Sequence, residues 1–245
     1  MNRLFYILTF LSLAIFFFIA MIDIHRFIDE ATRNNRFLRN SFLSIANVAI
    51  PLKNKILGRT VDDNIMQLQS TGVCQFCDFT EASMNGFELN GVDIRNSNLS
   101  HVNLSSVRMS GARLNNSILV EANLRGASFY IANLAGSNLE RANMNEANLS
   151  RSILVKAKLT KVSLKKASLR GAILTGANLT QSNLTGADLS SEFPFTTYLH
   201  KTNLNSVNLS DANLFEADLR SPIQTNLYFC KTKMPDGTMN NKSCN

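Results

Sequence analysis

The feature that most constrains this chain is a repeat of five residues. ANLRG at 122–126, ASFYI at 127–131, ANLAG at 132–136, SNLER at 137–141, ANMNE at 142–146 and ANLSR at 147–151 follow one another without a break. From Phe79 to Leu219 there are 29 such central positions, and 28 of them are Leu, Met, Ile or Phe; the exception is Pro194. Two residues before each of these anchors, 27 of 29 positions are Ala, Ser, Val, Thr or Cys, with Phe87 and Glu192 as exceptions. One residue before the anchor, 16 of 29 are Asn or Asp.

A period of five matches neither the 3.6-residue helix nor the two-residue strand. It matches a square coil in which each pentad makes one side and turns a corner, so that four pentads close one coil. The large anchor and the small residue two before it point inward and can fill a narrow interior without voids. Stacked coils pair their backbones at about 4.8 Å. The 29 anchors predict about seven coils, roughly 35 Å of rod, whose exposed ends need caps.

The pattern resembles the pentapeptide-repeat family, whose consensus is A(D/N)LxG-like, over about 77–220. The resemblance implies an all-β solenoid, a right-handed quadrilateral β-helix. The expected organisation is a membrane anchor or signal at 1–22, a helical linker at 23–73, the repeat at 74–220 and a cap at 221–245.

Residues twenty apart should stack. One inner column would run Phe79, Leu99, Leu119, Leu139, Leu159, Leu179, Leu199, and the column holding Leu174 would continue to Pro194. Pro194 cannot donate to a ladder, and Glu192 would point into a dry core at high cost. Ser191–Tyr198 is therefore expected to leave the coil as a loop. If it ejects five residues, the columns after it shift by one face. The loop would expose Phe193, Phe195 and Tyr198 on a polar rod as a candidate partner site; the alternative is that the aromatics fold back over one face.

The outer surface carries charge ladders, with Glu121 neighbouring Arg141 and Glu146 one coil from Lys166. Seven basic residues crowd 151–170: Arg151, Lys156, Lys158, Lys161, Lys165, Lys166 and Arg170. They should lie on all four sides of one coil and form a belt. A solvated belt, contact with lipid or an acidic protein, and contact with nucleic acid are the three readings.

All four cysteines lie at the rod ends. Cys74 and Cys77 form CQFCD, while Cys230 and Cys244 bracket the tail. A shared zinc site would need four ligands together, and the pairs are a rod length apart. Two local disulfides are the alternative. A Cys230–Cys244 bond would close a loop of about 14 residues, worth roughly 3 kcal/mol, and pin the cap around Pro235-Asp236-Gly237. The end sequences resemble those of exported pentapeptide-repeat proteins, which points to an oxidising compartment.

Leu4–Ile22 is a run of 19 residues without a charge. About 20 apolar residues span a bilayer core, so the run reads as an uncleaved anchor. A cleaved signal is the rival, but Ala20-Met21-Ile22 offers no small-x-small site. Ile24, Phe27, Ile28, Ala31, Leu38, Phe42, Ile45 and Ala49 then recur at roughly helical spacing until Pro51. This linker would either pack on the end of the rod or lie amphipathically on the membrane. Arg26, Arg33, Arg36 and Arg39 favour a cytoplasmic body by the positive-inside rule; the cysteines favour the periplasm or exterior.

No catalytic set is visible. His101 and His200 are far apart on the outer surface, and no GxSxG, phosphate-binding loop or HExxH occurs. No cofactor or metal is implied. Some relatives in the family mimic DNA and bind gyrase, which needs an acidic rod. Here 74–220 holds 14 basic and 12 acidic residues, so the balance argues against that role and against nucleic acid. The chain's net +7 comes chiefly from the linker and tail. The expectation is a non-enzymatic, membrane-tethered structural or protein-interaction rod of the bacterial envelope, single-pass in the inner membrane with an extracytoplasmic body. An exported effector or a cytoplasm-facing scaffold is the alternative. The same surfaces would serve a homodimer through a rod end or face.

Overall fold

A computed structural model describes residues 60–244. The Leu4–Ile22 run and the linker through residue 59 lie outside the described residues. Among the described residues no helix is long and apolar enough to cross a membrane.

The repeat folds as a β-helix. Val73, Asp93, Arg113, Asn133, Ile153 and Ile173 are joined in turn by parallel bridges; Tyr198 and Asp218 complete the series. Three further ladders of the same kind start at Asp78, Ser83 and Glu88. We label the faces carrying these four ladders A, B, C and D in chain order. The bridges run through eight coils, one more than the 29 anchors predict, because the ladders begin at Val73 before the first anchor and continue to Lys233 beyond the last.

Each backbone position has an assigned role. At a typical rung, Asn98 N–H donates to Cys77 O (2.9 Å), Leu99 N–H to Ile118 O (2.6 Å) and His101 N–H to Val120 O (2.9 Å). Val102 N–H closes the corner on Leu99 O (3.3 Å). The amide one residue after the anchor has no place in this ladder. The Asn and Asp just before the anchor supply its acceptor: at all sixteen positions the side-chain Oδ1 accepts from the backbone N–H two residues on. This Asx turn is the physical content of the Asn-rich repeat.

The residue two after the anchor turns the corner with positive φ in the regular coils, though not at Ser191, where the insertion begins. Glu81, His101, Glu121, Arg141 and Lys161 do so at 56–60°. That conformation disfavours most side chains and explains why Gly recurs there. Ile131 adopts it at φ 53 although β-branched, a strained choice.

The interior is dry and filled. Phe79, Met84, Leu99, Phe129, Leu149, Leu174 and Leu199, with small residues such as Ala122 and Ala132, are buried. Most inward hydroxyls are satisfied on nearby carbonyls, Ser152 Oγ being an exception: Ser97 Oγ donates to Cys74 O (2.9 Å), Ser117 Oγ to Ile94 O (2.8 Å) and Thr202 Oγ1 to Leu174 O (2.9 Å).

The expected straight columns need one correction. Ile173 pairs with Tyr198, twenty-five residues on, and Asn178 pairs with Asn203. Leu199 therefore follows Leu174, not Leu179. Glu192–Thr196 is a five-residue insertion, and every later pentad moves by one face. Glu192 and Pro194 stay out of the core for the reasons their chemistry gives.

Helix α1 (Val61–Thr71) closes the first coil. Thr60 caps it, its Oγ1 accepting from Asp63 N–H (3.1 Å) while Asp63 Oδ2 accepts from Thr60 N–H (2.8 Å). Gly72 ends it in the left-handed conformation. Leu68 is buried in the core, Ile65 and Val61 pack beside it, and Asn64 Nδ2 donates to Asp78 O (2.9 Å). At the other end, β1 (Thr232–Lys233) and β2 (Met239–Asn240) form an antiparallel hairpin.

Candidate interaction surfaces

The insertion sits at the corner between faces D and A. Ser191 ends a pentad on face D and Thr197 opens the next on face A. Thr197 is buried and ties the root of the loop: its Oγ1 accepts from Gly171 N–H (2.8 Å) and donates to Ser190 O (2.8 Å). Ser191 Oγ donates to Glu216 O (2.7 Å). Glu192 and Phe195 exchange backbone hydrogen bonds across a tight turn whose Phe193–Pro194 peptide is cis.

Arg151 holds the loop against the corner. Its guanidinium donates to Glu192 Oε1, and it lies 4.2 Å from the Phe195 ring centroid and 5.7 Å from that of Tyr130. Both Arg151 and Glu192 side chains are about three-quarters covered, so the pair is less screened than an exposed one. Gly171 makes the approach feasible. A Cβ there would sit 2.9 Å from Phe195 Cβ, and its φ is +65. Phe195 thus folds back, one of the two outcomes expected of the aromatics, and stays 44% exposed; Phe193 projects at the tip and is 97% exposed.

Tyr198 requires a correction. It is not in the loop but on face A, bridged to Ile173, because Thr197 has already re-entered the core as the small inward residue. It extends an outward apolar ladder, Ile153–Ile173–Tyr198, with Val155 beside Ile153. Ile131, 52% exposed, lies one step below Arg151 in the same corner column. Phe193, Phe195, Tyr198 and Ile131 therefore gather at one corner. The ladder is bracketed on face A by Asp93–Arg95 (2.8 Å) and Asp218–Arg220 (2.7 Å). Burial raises the Asp93 pKa, but the Arg95 guanidinium beside it prevails and holds it below the usual carboxylate range. Asp218 is lowered by its hydrogen bond from Arg220.

The seven basic residues surround the coil as a belt, but their partners differ from side to side. Arg151 is held by the loop, and Arg170 faces Asp188 at 3.8 Å; both are on the D side. The five lysines lie on the other sides. Lys156 turns the A/B corner, Lys158 is on face B, Lys161 turns the B/C corner, Lys165 is on face C and Lys166 turns the C/D corner. None of them makes an ion pair with a described residue. The Glu121–Arg141 ladder pair forms (3.1 Å). Glu146 pairs with Arg125 on the adjacent coil (3.0 Å) rather than with Lys166.

The model for pentapeptide repeats matches this chain in eight copies, over residues 74–111, 108–144, 127–165, 163–191 and 197–221. The chain belongs to the pentapeptide-repeat family. No curated protein matches it in sequence. Among solved structures it is similar to HetL, a pentapeptide repeat protein involved in heterocyst differentiation regulation from the cyanobacterium Nostoc sp. strain PCC 7120, at 22% identity over 72% of this chain and 98% of that one, with TM-score 0.31. It is also similar to QnrB1, a plasmid-mediated fluoroquinolone resistance protein, at 20% identity over 64% and 83% of the two chains, TM-score 0.35. A pentapeptide repeat protein of the Arabidopsis thaliana thylakoid lumen shares 29% identity over 51% and 70%, TM-score 0.21. The family matches break at 192–196, where this pentapeptide-repeat chain carries its insertion.

The cysteines occupy both ends of the pentapeptide repeat as disulfides. Cys74 stands at an anchor position and Cys77 at the next small inward position, so a CxxC spacing spans one corner of the core with Cα atoms 5.6 Å apart, well within disulfide reach. Cys230 and Cys244 are 4.7 Å apart and lock the tail, with Ser243 N–H donating to Phe229 O (2.7 Å). Lys233 lies 4.1 Å over the Phe215 ring, and Gly237 follows the turn at φ +85 with that ring beneath it. Sequence reasoning missed Arg151 as the loop clasp and Gly171 as its seat. Charge alone placed Arg151 in the belt; its corner position, twenty residues from Gly171, was the available signal. The helix α1 was signalled by Thr60, Asp63 and Gly72. The Ile24–Ala49 pattern expected to pack on the rod end lies outside the described residues.

Proposed function

We propose that this protein is a non-enzymatic interaction rod tethered to the bacterial inner membrane by Leu4–Ile22, with its right-handed, four-sided β-helix in the extracytoplasmic space. The carrying observation is Phe193, fully exposed at the tip of a loop that the Arg151–Glu192 pair and Phe195 hold in place. A large aromatic displayed on a fixed support is the kind of group that anchors a protein interface. The apolar ladder Ile153–Ile173–Tyr198 widens the surface around it. The interior, filled by Leu, Met, Phe and Ala, has no room for a substrate, which supports the non-enzymatic reading. Disulfides at both ends support the oxidising compartment. A photo-crosslinking residue placed at Phe193 in the full chain, in cells, should yield one discrete adduct; the same probe at Met66 should not. Identical adduct patterns from the two sites would refute the loop as the contact.

The flanking Arg26, Arg33, Arg36 and Arg39 favour the second reading, a cytoplasm-facing scaffold. Alkylation of the intact chain with and without reductant separates them. Four thiols reactive without reductant would remove the extracytoplasmic placement.

A further inference from the structure

Seven basic residues crowd one coil, but the structure sorts them. Arg151 and Arg170 face carboxylates. The five lysines do not, and three of them make one edge: Lys158 on face B, Lys161 on the B/C corner and Lys165 on face C, with Lys156 and Lys166 at its flanks. Apart from buried anchors and small inward residues, the outward positions of the next coil on these two faces are Asn178, Thr180, Gln181, Asn183, Thr185 and Gly186, all uncharged. On the preceding coil Glu146 is held by Arg125, which leaves Glu140 as the nearest carboxylate on face B. We propose that this lysine edge docks on an anionic lipid bilayer.

The chemistry favours a bilayer over other anions. Lysine is a compact point charge on a flexible stem and needs no fixed partner geometry, which suits mobile headgroups. Faces B and C carry no aromatic residue in coils four to six, so nothing there can stack on bases. The arginines that could fork onto a phosphate, Arg125 and Arg141, are already in ion pairs. The edge points away from the D/A corner, so a docked body leaves Phe193 free. The choice of a bilayer rests on the proposed tether, which would keep the body near a surface.

The full chain is mixed with vesicles of phosphatidylcholine alone, or of equal parts phosphatidylcholine and phosphatidylglycerol, and its amines are labelled and mapped by mass spectrometry. Lys158, Lys161 and Lys165 should be protected several-fold in the anionic vesicles only, the flanking Lys156 and Lys166 to a smaller extent, with Lys231 and Lys242 of the cap unchanged. Salt at about 1 M, which shortens the screening length to about 3 Å, should abolish the protection. In K158Q/K161Q/K165Q the docking constant should fall roughly a hundredfold, so that protection of Lys156 and Lys166 disappears. Equal labelling in both vesicles overturns the proposal. Protection by a DNA duplex with none from the anionic vesicles overturns it in favour of nucleic acid. The tether is read separately, as flotation with phosphatidylcholine vesicles that resists salt. Tether without lysine protection sinks only the edge, and lysine protection without tether sinks only the anchor.

Discussion

Two surfaces of the same coil are both built on basic residues and have opposite characters. At the D/A corner, Arg151 is covered by Phe195 and Tyr130 and neutralised by Glu192. At the B/C edge, Lys158, Lys161 and Lys165 have no carboxylate. The cause is the insertion. Five extra residues bring an acid and an aromatic over one corner and leave the opposite edge as the regular repeat dictates. A count of basic residues treats both surfaces alike; what separates them is what lies above each charge.

The largest test of this contrast is at the seat of the loop. Gly171→Val places a branched side chain at positive φ against Phe195 and should destabilise the fold by about 3 kcal/mol, seen as a fall in the thermal midpoint of the full chain. Valine at Gly176, a corner of similar φ (+69 against +65) without a loop above it, should cost less; an equal loss at both would mean that the loop contact adds nothing. Arg151→Ala should cost about 2 kcal/mol, because it strands a largely covered Glu192, and should speed proteolytic cleavage within 192–196. Lysine at Arg151 should recover only part of this, since it lacks the fork and the flat cation over the ring. Ile131→Gly should have the opposite sign, raising stability by about 1 kcal/mol by removing a β-branched residue from the left-handed region. The smallest effect belongs to the open edge: K158Q/K161Q/K165Q should change stability by less than about 0.5 kcal/mol. A substantial loss there would show that the lysines are structural.

The Asp93–Arg95 pair adds a pH test on face A. The folded pKa of Asp93 is depressed, so its contribution is present above the unfolded value near pH 4 and is lost as pH falls through the folded value. Asp93→Asn should flatten that acid limb of the stability profile.

Much of the fold was legible because the repeat states it at 28 of 29 anchors. Inward Leu and Ala, outward Asn, the corner and the four-pentad coil all follow from a five-residue period. The shift after the insertion was also foreseeable, since Glu192 and Pro194 break the pattern together. The reach of the insertion was misjudged at Tyr198, because an aromatic just before an anchor reads like loop sequence when its neighbours are aromatic. Buried Thr197, a good inward residue, was the better guide.

By itself the sequence determined the coil, its register and its capped ends, because those depend on local periodicity and on which side chains tolerate a dry interior. It also determined that the Asn-rich positions recur with the backbone. Only the tertiary structure decided which charges are free. Ion pairs and ring contacts join residues such as Arg151 and Glu192, forty-one positions apart, and their meeting depends on how a five-residue insertion leans across a corner. Periodicity carries no information about that distance, so the paired and the open faces of one basic coil became distinct only in three dimensions.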